Sequence, residues 1–478
     1  MEENKTEGQK LQDKLTYSLK NAWEKSSEEE KSEAFKFCEG YKSFLDKAKT
    51  EREFTYEVEL LAKSNGFIPM SDVIKNNMRL SSGMKVYHVN RNKSVLLSII
   101  GSNPIEQGVN LLGAHIDAPR IDLKQNPMYE DTGMVLMKTH YYGGIKKYQW
   151  VTLPLALHGV IIKTDGDVVN VVIGEDESDP VFTITDLLPH LAADQMQKKM
   201  SEGITGEGLN LLMGTIPYND DKVKDKVKLN ILNLLNMKYG IIEEDFVSAE
   251  LEIVPAFKAK DVGLDRSLVG AYGQDDRVCA YGAVKAIMDA QNLQKTAVCV
   301  LTDKEEIGSV GNTGAESSLL EDFIARLCAH SVDNYSDLVL RNCLNNSKML
   351  SADVNPGVDP NYEGVQDKRN ASYIGKGLVI QKYTGVRGKV GGSDANPEFI
   401  AELRRLFNEN NILWQSAELG KVDQGGGGTI AQFVANRGVE VIDCGVAILS
   451  MHSPFEITSK IDIYINYKAN KVFLEKCM

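Results

Sequence analysis

Val109-Asn-Leu-Leu-Gly-Ala-His115 decides how this chain folds. A short apolar run, entered after Gly108 and left through Ile-Asp-Ala-Pro119, has the pattern of a strand buried on both faces. It closes on an imidazole, and Asp117 follows two positions later, where the period of a strand puts both side chains on one face. Working outward, Ser94-Val-Leu-Leu-Ser-Ile-Ile100, Thr296-Ala-Val-Cys-Val-Leu-Thr302 and Lys348-Met-Leu-Ser-Ala352 are runs of the same kind. Gly377-Leu-Val-Ile380 and Val439-Glu-Val-Ile-Asp443 continue the series. Helical patterns over Val278 to Gln291 and Leu319 to Ala329 fall between them. Strand alternating with helix predicts an α/β fold built on a doubly wound, mostly parallel sheet.

Two segments depart from this rhythm. Met1 to about Gly66 is rich in Glu and Lys with Leu11, Leu15, Leu19, Phe35, Tyr41 and Phe44 near helical spacing, which predicts two or three amphipathic helices packed on the larger domain. From about Gln125 to Pro255 the chain instead shows alternating runs such as Val168 to Ile173 and Phe182 to Thr185, divided by Gly and Asp turns. The division expected is therefore one domain from 1–124 and 262–478, interrupted by a β-rich unit over 125–261. At 478 residues the chain has room for about three domains.

Composition removes several classes of function. Lys+Arg 54 against Asp+Glu 67 leaves a net charge of −13, which repels nucleic acid in the absence of a basic cluster. No apolar run approaches the roughly 20 residues of a membrane-spanning helix, and Met1-Glu-Glu-Asn-Lys5 lacks the pattern of a secretory signal. Seven scattered cysteines without C-x-x-C spacing argue against a disulfide framework or thiolate zinc, so a reducing cytoplasm is expected.

The acids and imidazoles fall after the strands, where open α/β sheets build their sites. Besides His115 and Asp117 these are Asp275-Asp276 before a helix, Glu305-Glu306 after Thr302, Asp353 after Ala352, and His452 in Leu449-Ser-Met-His-Ser-Pro454. Singly, each has a bland reading as a turn, a helix cap or a solvated pair. Together they form the donor set of a two-metal hydrolytic site. An Asp beside an imidazole holds its tautomer, and of two adjacent Glu one can bind metal while the other reaches a water. Gly425 to Gly428 lacks the Walker lysine and reads as a close-packed loop near the site, able to help hold a substrate backbone. His88, His140, His158 and His330 stand outside the constellation.

The order H-x-D, D-D, E-E, D, H resembles the co-catalytic zinc aminopeptidase clan. Ala114-His-Ile-Asp-Ala-Pro-Arg120, Lys304-Glu-Glu-Ile-Gly-Ser309, Ser351-Ala-Asp353, Asp359-Pro-Asn-Tyr362 and Met451-His-Ser453 resemble the aspartyl aminopeptidase family from about Tyr87 onward. The resemblance implies two divalent metal ions per subunit, zinc first, with cobalt or manganese as alternatives. Asp275 would bridge them, His115 and Asp353 completing one site and Glu306 and His452 the other. Asp117 would orient His115, and Glu305 would be the general base. It also implies that the roughly 160 residues between His115 and Asp275, far more than a βα loop needs, hold a β-rich dimerisation domain, with dimers assembling into dodecamers. Relatives read P-H-L-A-I-H where this chain has Pro189-His-Leu-Ala-Ala-Asp194. His190 is then the candidate to complete a partner's site by hydrogen-bonding the oxyanion, or to bind metal. Relatives also place a Lys near a G-P-V-I-K strand to pair with an acidic substrate side chain, whereas Gly377-Leu-Val-Ile-Gln-Lys382 puts Lys382 one place off. Lys382 and Arg387 are the candidates to contact the substrate side chain, with Lys389 as an alternative.

Three functions follow for test: an aminopeptidase taking peptides with acidic N-termini, a broad or neutral-residue aminopeptidase on the same scaffold, and a self-assembling shell or cargo protein without useful turnover.

Overall fold

A computed structural model describes residues 5–478. Its largest sheet has nine strands in the order Ile68–Pro69, Lys85–Asn90, Ser94–Ile99, Thr296–Thr302, Val109–His115, Lys348–Ala352, Glu440–Gly445, Leu378–Gln381 and Trp414–Ser416. The four strands from Thr296–Thr302 to Glu440–Gly445 run parallel. The sheet is mostly parallel, as expected, with five parallel neighbour pairs and three antiparallel ones: Lys85–Asn90 and Ser94–Ile99 form a hairpin, Ser94–Ile99 lies antiparallel to Thr296–Thr302, and Leu378–Gln381 lies antiparallel to Glu440–Gly445. A short turn can only join antiparallel neighbours, so the parallel region is confined to strands separated by helices.

Alternation along the buried strands sends side chains into two separate cores. Leu112, Ala114, Cys299, Leu301, Leu350 and Ala352 pack with helices Glu28–Leu45, Gln274–Asp289 and Lys460–Lys476. Val109, Leu111, Val298, Val300 and Met349 pack on the opposite face with Leu319–Ser331 and Asp337–Asn345. A strand covered on both sides needs no polar face, which is why Val109–His115 reads as continuous apolar sequence.

The inserted region forms a six-stranded antiparallel sheet in the order Val168–Ile173, Leu155–Ile162, Ala249–Pro255, Arg120–Asp131, Met134–Tyr142, Leu211–Gly214. It begins at Arg120, ahead of the expected start, and Phe182–Thr185 makes only isolated bridges. Helix Lys226–Tyr239 lays Val227, Ile231 and Leu235 against it. A third sheet, Lys260–Val262, Leu268–Ala271, Glu456–Ser459, Ala447–Leu449 and Asn355–Pro356, was not anticipated. Of the N-terminal helices, Glu28–Leu45 and Glu51–Ser64 are fixed by capping boxes at Ser27 and Thr50 and bury apolar faces as expected. Glu7–Leu15 buries no residue, so Leu11 and Leu15 do not join the core. All seven cysteines are buried free thiols. Among the described residues, no helix is long and apolar enough to cross a membrane.

Candidate metal centre

The parallel strands deliver their functional groups at one edge. His115 is the last residue of its strand, Asp353 follows Ala352 directly, and Glu305 and Glu306 form a 3₁₀ turn after Thr302. Asp275 lies at the start of helix Gln274–Asp289, and His452 lies between the short strands Ala447–Leu449 and Glu456–Ser459. His452 has φ +63°, an uncommon conformation for a non-glycine residue. Its N–H donates to Glu456 Oε1 at 2.7 Å, while the other carboxylate oxygen accepts from Asp275 N–H at 3.1 Å. Glu456 thus clamps the backbones of two candidate ligands, and burial pushes its carboxyl up to about 8.

The ligand atoms converge on Asp275. Its Oδ1 lies 3.2 Å from His115 Nε2 and its Oδ2 lies 3.3 Å from His452 Nε2. His115, Asp275 and Asp353 form one compact group, and Asp275, Glu306 and His452 a second, the donor atoms of each lying within 4.8 Å of one another. The outer nitrogens are held as well. His115 Nδ1 lies 3.1 Å from the Asp117 carbonyl and 3.3 Å from Asp117 Oδ1, and His452 Nδ1 donates to the Gly144 carbonyl at 3.0 Å. Each imidazole therefore turns an unprotonated Nε2 lone pair inward when it serves as a ligand.

Asp117 does more than orient His115. Its carboxylate accepts from the Glu305 and Glu306 N–H groups at 3.1 and 3.2 Å and from the Tyr142 hydroxyl at 2.8 Å. Tyr142, Gly144 and Glu456 were not singled out from the sequence. A Cβ at Gly144 would stand 3.2 Å from His452 Nδ1, a tight approach that would press on the ring.

Burial without a cation penalises this many carboxylates. It drives Glu306 and Asp353 well above the usual range, and pushes Glu305 up to about 7, where the Asp117 and Asp275 charges add to it. Asp275 Oδ1 and Glu306 Oε1 are buried without a hydrogen-bond partner. Among the described residues no Lys or Arg pairs with Asp275, Glu305, Glu306 or Asp353. Orphaned inward-facing oxygens beside two imidazoles are the donors a divalent cation takes, so the residues present fit zinc. A further acidic group, Glu51, Glu250 and Glu252, lacks imidazoles and is paired with Lys93, Arg52 and Arg120.

The centre opens into a cavity of about 670 Å³ lined on its far side by Gln381, Tyr383, Arg387, Lys389, Glu418 and the Gly425 to Gly428 loop. That loop pairs with Gly385–Val386 as a two-residue strand, and a Cβ at Gly426 would meet the Gly385 carbonyl at 2.5 Å. The residue alternation places Gln381, not Lys382, in the lining. Lys382 is turned to Asp394 at 2.6 Å, which corrects its expected place in the substrate pocket. Lys389 shares the same Asp394 at 2.8 Å, leaving exposed Arg387 and Lys421 as lining cations with no ion pair among the described residues. His190 sits in an exposed 3₁₀ turn, Pro189–Leu191, of the inserted region and joins neither ligand group of its own chain. His158 is held between Glu53 and Glu175, and His330 by the Met78 carbonyl, in keeping with structural roles.

A mixed α/β scaffold with a nitrogen and oxygen donor set at its strand ends defines a metallohydrolase. Comparison with known proteins makes the class specific. The family model for the aminopeptidase I zinc metalloproteases (M18) matches residues 44–474, and the chain belongs to that family. It is a metalloaminopeptidase. A probable M18 family aminopeptidase 1 of Clostridium acetobutylicum is 54% identical over 460 residues, covering 96% of this chain and 99% of the relative. The crystal structure of an M18 aminopeptidase from Thermotoga maritima superposes with a TM-score of 0.92 at 47% identity, over 96% of this chain and 100% of that one. At 21% identity and a TM-score of 0.73, over 91% of this chain and 96% of the other, a dodecameric structure of mApe1 from S. cerevisiae shares the fold.

Proposed function

We propose that the chain is a dinuclear zinc aminopeptidase in which Asp275 bridges the two ions, His115 and Asp353 complete one site, and Glu306 and His452 the other. The observation that carries this reading is the division of the Asp275 carboxylate, one oxygen facing each imidazole. When bound, such ions acidify water and polarise the scissile carbonyl. Glu305, which lines the cavity beside the ligand groups without belonging to either, would take the proton of the attacking water and return it to the leaving amine. Asp117 fixes His115 and, through the two N–H groups it accepts, the turn that carries Glu305 and Glu306. Two zinc ions per chain by elemental analysis, with a lower content and lost turnover in Asp275→Asn, is the expected result; one ion per chain would overturn the bridging assignment. Cobalt and manganese enter the same test as alternative ions.

The acidic-substrate reading rests on Arg387 and Lys421, the lining cations without an ion pair among the described residues, since Lys382 and Lys389 share Asp394. A specific observation favours the broad or neutral alternative: Gln381, an uncharged residue, lines the cavity next to Lys382, which does not. We therefore propose uncharged N-terminal residues as the better substrates. A panel of aminoacyl-nitroanilides on which Asp and Glu outrun Leu would reverse that assignment. The reading of a shell or cargo protein without turnover has no comparable support, because Asp275, Glu306, Asp353, His452 and Glu305 line an open cavity.

For assembly, exposed Leu187, Leu188, Leu191, Met196 and Met200 beside His190 support a homo-oligomer joined through the inserted sheet, which we propose as dimers building a dodecamer. In that arrangement His190 would reach a partner's site, and light scattering gives the subunit number. Buried free thiols fit the cytoplasm as the compartment.

A further inference from the structure

Tyr142 is the last residue of strand Met134–Tyr142 in the inserted sheet, yet its hydroxyl ends 2.8 Å from Asp117 Oδ2, at the edge of the nine-stranded sheet. The Arg120 guanidinium lies over its ring at 4.0 Å. Arg120 in turn reaches Glu51 and Glu252, both at 3.2 Å. The ring is therefore fixed from behind by a buried ion-pair group, and its hydroxyl points at the carboxylate that touches His115, Glu305 and Glu306 at once. Two residues further on, the Gly144 carbonyl holds the other imidazole, His452.

We propose that Tyr142 is a positioning residue of the metal centre. It acts through Asp117: the hydroxyl fixes which way that carboxylate faces, and the carboxylate fixes the His115 ring and the turn bearing the general base. The inference rests on the metal reading above. Outer partners of this kind change metal affinity or activity by about 10–100-fold when removed. Deleting the hydroxyl alone leaves Asp117 Oδ2 with the Glu306 N–H as its remaining donor, while the ring and its stacking with Arg120 persist.

The test uses the full-length chain and zinc itself, with affinity read by competition against a coloured chelator. Tyr142→Phe should bind zinc about tenfold more weakly than the parent chain and lower kcat by about tenfold, with KM changed less than about twofold. Asp117→Asn should weaken zinc binding at least as much, and the double variant should be no weaker than Asp117→Asn, because Tyr142 works only through that carboxylate. Zinc affinity in Tyr142→Phe within about twofold of the parent, or losses that add in the double variant, overturns the positioning role. If Tyr142→Phe fails to fold, parental zinc affinity in Asp117→Asn overturns it equally. A parent chain that binds no zinc would instead remove the metal reading itself, and with it this inference.

Discussion

Two buried groups of carboxylates flank Tyr142, and they are neutralised in different ways. Around Glu51, Glu250 and Glu252 the compensation is built into the chain: Arg120 and Lys93 reach Glu51, Lys93 and Arg52 reach Glu250, and Arg120 reaches Glu252. Around Asp275, Glu305, Glu306 and Asp353 the only nearby nitrogens belong, among the described residues, to imidazoles. Both groups satisfy the same distance test for metal binding. The partners, rather than the acids, tell them apart. Where arginine and lysine lie within ion-pair distance the cluster is an internal strut; where only imidazoles do, charge balance requires something from outside.

The largest effect should separate chemistry from structure. Glu305→Gln removes the general base without removing a ligand, so kcat should fall by about 10²–10⁴-fold while zinc content and assembly are kept. Near-parental turnover would refute the role. Glu51→Gln, made in the other group, should leave kcat within a fewfold and lower Tm instead.

Next in size is the central arginine of the strut. Arg120→Met leaves Glu51 and Glu252 buried opposite no guanidinium, a loss of about 3–5 kcal/mol in unfolding free energy. This loss should appear equally in zinc-loaded and chelator-treated protein. Stripping zinc from the parent chain, by contrast, should lower stability through mass action alone, and adding zinc back should restore it. If Arg120→Met is rescued by excess zinc, the division between the two groups fails.

Acid distinguishes them further. Arg120 and Lys93 overcome the burial of Glu51 and hold its carboxyl down at about 2. Its unfolded value is about 4.3, so folding takes fewer protons here than the unfolded chain. The contribution to stability is complete above that value and is lost as pH falls toward the folded value. The Tm difference between the parent chain and Glu51→Gln should therefore be widest above about pH 5 and shrink steadily toward pH 2. A difference that grows on acidification would show that Arg120 and Lys93 do not hold Glu51 ionised.

The sequence made the ligand group more legible than the strut. His115, Asp353 and the Glu305-Glu306 pair each follow a run of apolar residues buried on both faces, so their placement at one edge could be read from period alone. The expectation for Lys382 failed on the same alternation: Gln381 occupies the cavity face and Lys382 turns to Asp394. The hairpin that makes the sheet mixed was hidden because Lys85–Asn90 carries little apolar signal. Leu268–Ala271 and Ala447–Leu449 were too short to stand out, so the third sheet was missed, and with it Glu456. Tyr142 carried no motif, and the one that ends at Arg120 says nothing of its ion pairs: their meaning comes from two sheets meeting, which no local pattern encodes.

The smallest expected effect lies at the rim of the strut. Arg52 meets Glu250 at 2.6 Å, but the two side chains remain 24% and 34% exposed, so water already solvates much of both charges. Glu250 also keeps Lys93 when Arg52 is removed. Arg52→Ala should therefore cost about 0.2–1 kcal/mol, against the several expected at Arg120, and the loss should fade with added salt. Equal losses at Arg52 and Arg120 would mean that the group is a surface network throughout. Its resistance to metal would then owe nothing to buried arginine, and the contrast with the imidazole-lined centre would have to be drawn from ligand type alone.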